Sequence, residues 1–387
     1  MNNTRALLGM AVSTALLAGC GGSDNTLESA SDDDQNDQFS RKVIDARSEE
    51  KAAYLNLETG SVVHMSDEEA RQVTNWHLAF KRDSVQLNGG ASGEGEVAGA
   101  LLNPQDKYYK DNGDPDFNLL VNASAELEEG ALLKNYPAPG RRDWVKDSVS
   151  NSFGDDWRDY NHDNGVMSAN PNNGWLVRSA EGDSYARLQV TQLDFPTREG
   201  KGVKSFTIEM DVQAADTSQF APSPVTFTGS IGAEGGELCF DFDAGSPADC
   251  TGATWDVKFG FGGRDTYLKS NSGASGDGNG GVFGPFKWDV LKDYSSATTE
   301  PLGQDITGRY EPDTTGGIFS QSSWYVYDQA GGHLLRPNFR VYAIDTDATD
   351  PAAPVYAVQI AGYYGEDKEY GQTIVRWTEA SLTEGDN

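Results

Sequence analysis

Few side chains in this sequence of 387 residues could hold a transition-metal ion. The histidines, and the methionines beyond the first ten residues, are His64, His77, His162, His333, Met65, Met167 and Met210. Imidazole nitrogen and thioether sulfur are ligands that iron and copper accept. Any metal chemistry in the chain must therefore be assigned largely from this short set.

His162 is the strongest candidate ligand and the one we assign as a metal-binding residue. It closely follows the aromatic segment from Trp157 to Tyr160, and a solvated loop histidine is the equal alternative. Met167 is a second candidate, although methionine more often fills gaps in a core.

Three further candidates are His77, His64 and Met65. His77 follows Trp76 in strand-like alternation, so it could face the outside of a sheet. His64 and Met65 lie between a strand and a helix start, where a solvated turn is the alternative. His333 follows two glycines and is interpreted as a turn residue.

The sequence carries none of the common catalytic signatures, such as G-x-S-x-G, H-E-x-x-H, a P-loop or a dinucleotide fingerprint. A motif NxGASGxG occurs twice, at 88–95 and 271–278, and superficially suggests a phosphate cradle. No helical pattern or lysine follows it, so a structural turn is the better interpretation. We therefore expect no enzymatic activity.

The charge balance excludes another class of function. Asp and Glu number 60 and Lys and Arg number 30, which gives a formal net charge of −30. Phosphate recognition needs clustered Lys and Arg, so nucleic acid is not an expected partner. No apolar run is long enough to predict a transmembrane helix.

The N-terminal segment predicts export. Residues 1–19 combine Arg5 with a short apolar run that ends in Leu-Ala-Gly before Cys20. This ending resembles the bacterial lipoprotein box and implies lipid attachment at Cys20, with an ordinary secretory signal as the alternative. Gly21 in the next position favours, by the same resemblance, delivery to the outer membrane. Residues 20–41 are polar and predict a disordered tether.

Two other cysteines, Cys239 and Cys250, remain after lipidation. In an oxidising compartment they would form a disulfide that closes a short loop, and two free buried thiols are the alternative.

An internal repeat predicts two domains. Six short matches, among them LNLETG at 55–60 with FDFDAG at 240–245, keep the same order at offsets of 166–185 residues. The predicted domains are 42–214 and 225–387, joined by a linker at 215–224.

Alternating and β-branched segments predict a mainly β fold with two tandem sandwich-like or barrel-like domains. The clearest strands are 186–193, 205–212, 340–345 and 356–364. One helix is expected from Asp67 to Val73, because Ser66 and Glu69 form a capping box.

The first repeat resembles the HmuY family of haem-binding bacterial lipoproteins. The resemblance lies in YLNLETGSVV (54–63), NWHLAFKRDSVQLNGGASGEG (75–95), DWRDYNHDNG (156–165) and WLVRSAEGDSYARLQVTQLDF (175–195). At His77 the family usually has Asp, which the second repeat keeps as Asp256. The resemblance implies a β-rich, non-catalytic protein that captures haem, or takes it from a haemoprotein, for a TonB-dependent outer-membrane receptor.

The resemblance also implies where haem would bind. His162 lies where the family's haem binders carry one axial histidine, whereas the second repeat has Gln329 there. The upstream hairpin, expected to supply the other axial ligand, contains no His, Met or Cys. Candidate partners for the haem propionates are Lys81, Arg82, Arg141 and Arg142.

A calcium-binding or surface-interaction module is the competing interpretation. Acidic clusters occur at Asp111, Asp114 and Asp116, and again at Asp345, Asp347 and Asp350. Oxygen-rich clusters suit calcium, but neither follows the spacing of an EF-hand loop.

Overall fold

The computed structural model describes residues 38–196, 202–263, 265–328, 332–365 and 368–383. Strands dominate these residues, which confirms the mainly β fold. The signal segment, Cys20 and most of the predicted tether lie outside the described residues. The tether is shorter than expected, because Ser40 and Arg41 pair with Trp377 and Arg376 in a sheet.

Four strand-rich quarters, A to D, follow one another along the chain. Quarter A (40–103) contains β1 (Ser40–Asp45), β2 (Ala53–Leu55), β3 (Val62–Val63), α1 (Asp67–Arg71), β4 (Leu78–Lys81), β5 (Ser84–Leu87) and β6 (Ala98–Asn103). A first connector (104–147) contains a 3-10 turn (Asp106–Tyr108), α2 (Phe117–Leu120), α3 (Glu129–Leu132) and β7 (Tyr136–Pro137). Quarter B (148–213) contains β8 (Ser148–Ser150), β9 (Arg158–Tyr160), β10 (Met167–Ala169), β11 (Asn173–Arg178), β12 (Tyr185–Asp194) and β13 (Val203–Gln213).

The second half of the chain repeats this plan. Quarter C (225–287) contains β14 (Val225–Ile231), β15 (Gly236–Asp241), β16 (Ser246–Ala248), β17 (Val257–Gly262), β18 (Asp265–Ser270) and β19 (Gly281–Lys287). A second connector (288–313) contains α4 (Trp288–Leu291) and a 3-10 turn (Thr307–Arg309). Quarter D (314–383) contains β20 (Thr314–Gly316), α5 (Ile318–Gln321), β21 (Tyr325–Asp328), β22 (Leu334–Pro337), β23 (Val341–Asp345), β24 (Val355–Tyr364), β25 (Tyr370–Glu379) and β26 (Leu382–Thr383).

The main sheets form two units with the same strand order. The outer unit has a five-stranded sheet β1-β25-β24-β23-β6 and a four-stranded sheet β3-β2-β4-β5. The inner unit has a five-stranded sheet β14-β13-β12-β11-β19 and a four-stranded sheet β16-β15-β17-β18. Each strand of one unit has a counterpart in the other. All four sheets are open, so the barrel-like alternative does not apply to them.

The two units do not coincide with the two sequence repeats. The outer unit combines quarter A with quarter D, and the inner unit combines quarter B with quarter C. The predicted linker 215–224 joins β13 and β14, which are neighbours in one sheet. The division into 42–214 and 225–387 therefore does not separate the packed units. The first half of each repeat packs with the second half of the other repeat.

The buried cores follow this crosswise pairing. In the inner unit, Phe206 of quarter B stacks on Phe259 of quarter C at 3.9 Å between ring centroids. In the outer unit, the Trp377 indole donates to the Leu57 carbonyl oxygen at 2.8 Å, across 320 residues of chain. Burial of large aromatic side chains is a main source of stability in such cores.

The chain crosses between the units at two places, and these places lie side by side. β8 enters quarter B and β20 enters quarter D, and the two pair antiparallel. Asp147 immediately precedes β8, and Asp313 immediately precedes β20. The two crossings therefore form a two-stranded ribbon that links the outer unit to the inner unit.

The NxGASGxG motifs are structural turns fixed to these crossings. Asn88 donates to the carbonyls of Val73 and Trp76 and accepts from Gly95 N–H, and Asn271 makes matching bonds in the inner unit. The backbone oxygen of Asp147 accepts from Ala91 N–H at 2.8 Å. Gly90 has φ +67°, and a Cβ there would overlap that same oxygen.

The predicted helix is confirmed with a small change in length. α1 starts at the expected capping box, since the Ser66 hydroxyl accepts from Glu69 N–H and the Glu69 carboxylate accepts from Ser66 N–H. It ends at Arg71, two residues before the expected end. Within the described ranges, no helix is long and apolar enough to span a membrane.

We expect disulfide crosslinking to report the crosswise pairing directly. Lys42 faces Val375 across β1 and β25. The repeat places Glu209 of quarter B where Val375 stands in quarter D. In a chain with Cys20→Ser, Lys42→Cys with Val375→Cys should form an intramolecular disulfide, seen as faster migration of the monomer without reductant. Lys42→Cys with Glu209→Cys is the matched control, and efficient crosslinking of that pair instead would show that each repeat folds on itself.

Candidate functional site

A cavity of about 500 Å³ opens in the outer unit, between the first connector and quarter D. This volume lies in the range of sites for small organic ligands. Its lining residues come from 120–125, 334–337, Phe339, 361–364 and Lys368. The cavity thus lies where two distant parts of the sequence meet.

A bulge in β24 shapes the floor. The register of β24 against β25 shifts on both sides of Gly362, so the strand bends there. Ala361 and Gly362 leave room above the floor, and a Cβ at Gly362 would come within 2.7 Å of Ile374 Cδ1. The next residues, Tyr363 and Tyr364, place two phenol rings at the same wall, 5.3 Å apart.

Hydrogen bonds fix the positions of the segments that form the opposite walls. Asp116 caps α2 by accepting from Asn118 N–H, and α2 places Leu120 in a buried cluster with Phe339, which Ala125 joins from the segment after the helix. The β21–β22 hairpin supplies residues 334–337, and Leu335 N–H donates to the Tyr364 hydroxyl at 2.9 Å. The walls therefore combine apolar side chains with polar ones such as Asn122 and Ser124, and the sheet behind them braces them.

Positive charge lies at this cavity in a strongly acidic chain. Arg336 lines it and is paired with Asp328, with Arg336 Nε 2.8 Å from Asp328 Oδ2. Lys368 also lines it and is exposed. Burial, together with the nearby Asp83 carboxylate, raises the pKa of the lining Tyr363 to about 12, and Arg82 acts in the opposite direction.

The structure does not bring His162 and Met167 together. His162 is exposed in the turn between β9 and β10, where its ring meets the Tyr160 ring edge-on at 4.8 Å. Met167 is buried in the inner core, and its sulfur accepts from Arg158 and from the Thr266 hydroxyl, each at 3.4 Å. Met167 therefore has the role of a core residue, which was the alternative interpretation.

His77 is a buried structural histidine. It is 5% exposed, and its Nδ1 accepts from Leu57 N–H at 3.0 Å. Burial lowers the pKa of His77 to about 4. The expectation of an outward-facing His77 is therefore wrong. Asp256 has the equivalent role in the inner unit, because its carboxylate accepts from Phe242 N–H at 2.9 Å.

The other predicted candidates are dispersed. His64 is exposed, and Met65 packs partly against the cluster around Trp76. Of the propionate candidates, Lys81 pairs with Asp67 at 3.4 Å and the exposed pair Arg141 and Arg142 lies in a turn. None of these residues lines the cavity.

Arg82, the remaining propionate candidate, lies closer to the cavity walls. Its guanidinium stands 4.1 Å over the Tyr370 ring and 3.0 Å from Glu49, and it acts electrostatically on Tyr363.

The predicted disulfide partners are joined in the structure. Cys239 and Cys250 form a disulfide with 5.3 Å between their Cα atoms. This bond ties β15 to the loop that follows β16.

The acidic clusters proposed for calcium are engaged in turns. Asp347 accepts from the Thr349 amide and hydroxyl, and Asp350 accepts from Ala352 N–H. Among the described residues, three carboxylates converge elsewhere, at Glu181, Asp243 and Asp256. Burial raises the pKa of Asp256 to about 7, which opposes a shared anionic site. The calcium interpretation is therefore not supported.

Sequence reasoning missed the cavity itself. Arg336, Lys368 and the two tyrosines carried no motif, and their positions depend on the crosswise packing and on the β24 bulge. The aromatic run 356–364 marked a strand, but alternation alone does not reveal a bulge.

Comparison with known proteins finds a family model that matches part of the chain. The family model described as HmuY protein matches residues 48–207, which is 160 of the 387 residues. The chain is also similar to the structure of a putative HmuY-like heme-binding protein from Bacteroides vulgatus. That alignment has 10% identity and a TM-score of 0.28, and covers 88% of this chain and 91% of the other.

A second solved structure, the apo HmuY analogue of Tannerella forsythia, aligns with 12% identity and a TM-score of 0.28. It covers 88% of this chain and 94% of the other. No curated protein matches the chain.

We expect His77→Ala to weaken the fold without affecting a ligand. The variant leaves the buried Leu57 N–H without its acceptor, which should cost about 1–3 kcal/mol of unfolding free energy. Because the folded-state pKa of His77 is depressed from 6.5 to about 4, its contribution is complete above pH 6.5 and is lost as the pH falls towards 4. Urea unfolding at pH 7.5 and pH 5 should therefore show a smaller pH dependence in the variant. Equal stability of variant and wild type at pH 7.5 would contradict this role.

Proposed function

Because residues 48–207 match the HmuY family, we propose that this chain binds haem, and that the outer-unit cavity receives it. The observation that carries the choice of site is the partly apolar cavity whose lining includes the exposed Lys368 and the ion-paired Arg336. Haem has a flat apolar macrocycle and two carboxylates, so it needs apolar walls together with positive charge.

The charge balance explains why local cations matter. A net charge of −30 repels an anionic ligand at long range. Lys368 can offset this repulsion only at short range, since exposed charges are screened beyond about 10 Å at moderate salt. The charge of Arg336 is already balanced by Asp328, so Arg336 contributes chiefly as a hydrogen-bond donor. Affinity would then come mainly from burial of the macrocycle against 120–125 and 334–337.

The proposed role is capture and transfer rather than catalysis. We infer lipid attachment at Cys20 and an outer-membrane location, facing the periplasm or the exterior, with a TonB-dependent receptor as the recipient of haem. The support is the Leu-Ala-Gly-Cys ending at 17–20 and the resemblance of the first repeat to haem-binding lipoproteins.

Hemin titration of the purified protein tests the ligand and the cavity together. We expect a saturable Soret shift at micromolar hemin. Ala123→Trp fills the cavity from its half-buried wall and should weaken binding on the order of tenfold or more. Lys368→Glu should weaken it about fivefold, and less at high salt.

Two substitutions serve as matched controls. Ala352→Trp adds the same ring at an exposed position that does not line the cavity, and Lys292→Glu reverses an exposed charge in the second connector. Both should bind hemin like the wild type. Equal weakening by the controls, or no saturable shift in the wild type, would refute the proposal.

Metabolic labelling tests the anchor. In a bacterial host with lipoprotein processing, labelled palmitate should enter the wild-type chain and should be lost in Cys20→Ala, as read by autoradiography. Because Cys239 and Cys250 are paired with each other, Cys239→Ala with Cys250→Ala is the control that should keep the label. An unlabelled wild type would refute lipidation and leave haem binding unaffected.

A further inference from the structure

A phenol and an imidazole are paired at the end of the β21–β22 hairpin. The Tyr327 hydroxyl lies 2.8 Å from His333 Nδ1, and their ring centroids are 5.8 Å apart. When the imidazole carries its proton on Nε2, Nδ1 accepts the phenol proton. This contact joins Tyr327 in β21 to the residue immediately before β22.

Tyr327 is exposed where neighbouring aromatic residues are buried. It is 43% exposed, whereas Tyr363 is 4% exposed and Tyr342 is fully buried. Packing therefore does not account for a large aromatic side chain at this position.

His333 is held in a backbone conformation that few residues adopt. Its φ is +64°, in the left-handed region, and its N–H donates to the Asp328 carbonyl oxygen at 3.1 Å. A left-handed residue other than glycine carries a cost of about 1 kcal/mol or more, and such residues concentrate at ligand sites. The left-handed backbone at His333 thus holds the imidazole beside the phenol at a cost in conformational free energy.

The pair is continuous with the cavity. Leu334 follows His333 directly and lines the cavity, and Leu335 faces Tyr327 across the two strands. The ion pair between Arg336 and Asp328 braces the same hairpin. Tyr327 and His333 do not line the cavity themselves, so a ligand bound there meets the phenol only where it extends beyond the lining residues along this hairpin.

We propose that Tyr327 is the axial ligand of ferric haem in this protein and that His333 is the acceptor of its proton. This inference rests on the proposed function. Phenolate oxygen is an established type of haem ligand, and cavity residues of the described chain include no His, Met or Cys. The two phenols that line the cavity, Tyr363 and Tyr364, are buried, and the Tyr364 hydroxyl already accepts from Leu335 N–H, whereas Tyr327 is exposed.

The ligation step balances without a redox reagent. The Tyr327 O–H bond breaks, its proton passes to His333 Nδ1, and the phenolate oxygen forms a bond to ferric iron as a bound water leaves. The iron stays ferric. The resulting imidazolium carries a positive charge, which offsets the propionates in an otherwise acidic surface.

Spectroscopy of the hemin-loaded full chain tests this assignment. The wild type should show a phenolate-to-iron charge-transfer band and phenolate modes in resonance Raman spectra. Tyr327→Phe should lose both and bind hemin about tenfold more weakly, while metal-free protoporphyrin should bind both proteins equally. His333→Ala should keep the phenolate bond but shift the band and weaken hemin binding several-fold.

The equivalent hairpin of the inner unit provides the control. Tyr160→Phe removes the hydroxyl of a half-buried tyrosine that also lies beside a histidine ring and should leave the spectra unchanged. Phenolate features that survive Tyr327→Phe, or that disappear in Tyr160→Phe, would overturn the inference and leave the proposed function standing. Absence of any saturable hemin binding by the wild type would overturn both.

Discussion

The pairing of β1 with β25 is the constraint on which the rest of the structure depends. It brings the two ends of the described chain into one sheet and commits quarter A to quarter D. Quarters B and C are then left to each other, and the chain must cross between units at β8 and β20. The cavity is a product of this constraint, since one wall comes from the first connector and the other walls come from quarter D.

Equivalent positions in the two units show which chemistry the fold requires. Asn88 and Asn271 both organise a glycine-rich turn, and Asp147 and Asp313 both anchor such a turn at a crossing. His77 and Asp256 differ in type and yet both accept a backbone N–H. The fold therefore needs an acceptor at this position, and its charge is free to vary. These residues serve the scaffold, whereas Tyr327 and Lys368 contribute little to packing.

Local features of the fold were predictable from sequence, and long-range ones were not. Period-two alternation located β12, β13 and β24, and the Ser66 capping box located α1, because each depends on neighbours along the chain. The crosswise pairing was not predictable, because two similar repeats satisfy the same strand contacts in either arrangement. His162 drew attention by its residue type and by its place after an aromatic segment, and its exposed turn could not be inferred from either. The Tyr327 and His333 pair could not be found either, since a hydrogen bond across a turn depends on the left-handed backbone at His333.

The crosswise pairing also sets an order of assembly during synthesis. Quarters B and C are adjacent in sequence, so the inner unit has all of its strands soon after residue 287 is made. Quarter A is made first and completed last, because β1 has no partner until β25 appears more than 300 residues later. Long sequence separation slows folding, and unpaired strand edges invite association with other chains. Quarter A is therefore the segment that must be kept from associating with other chains for the longest time during synthesis.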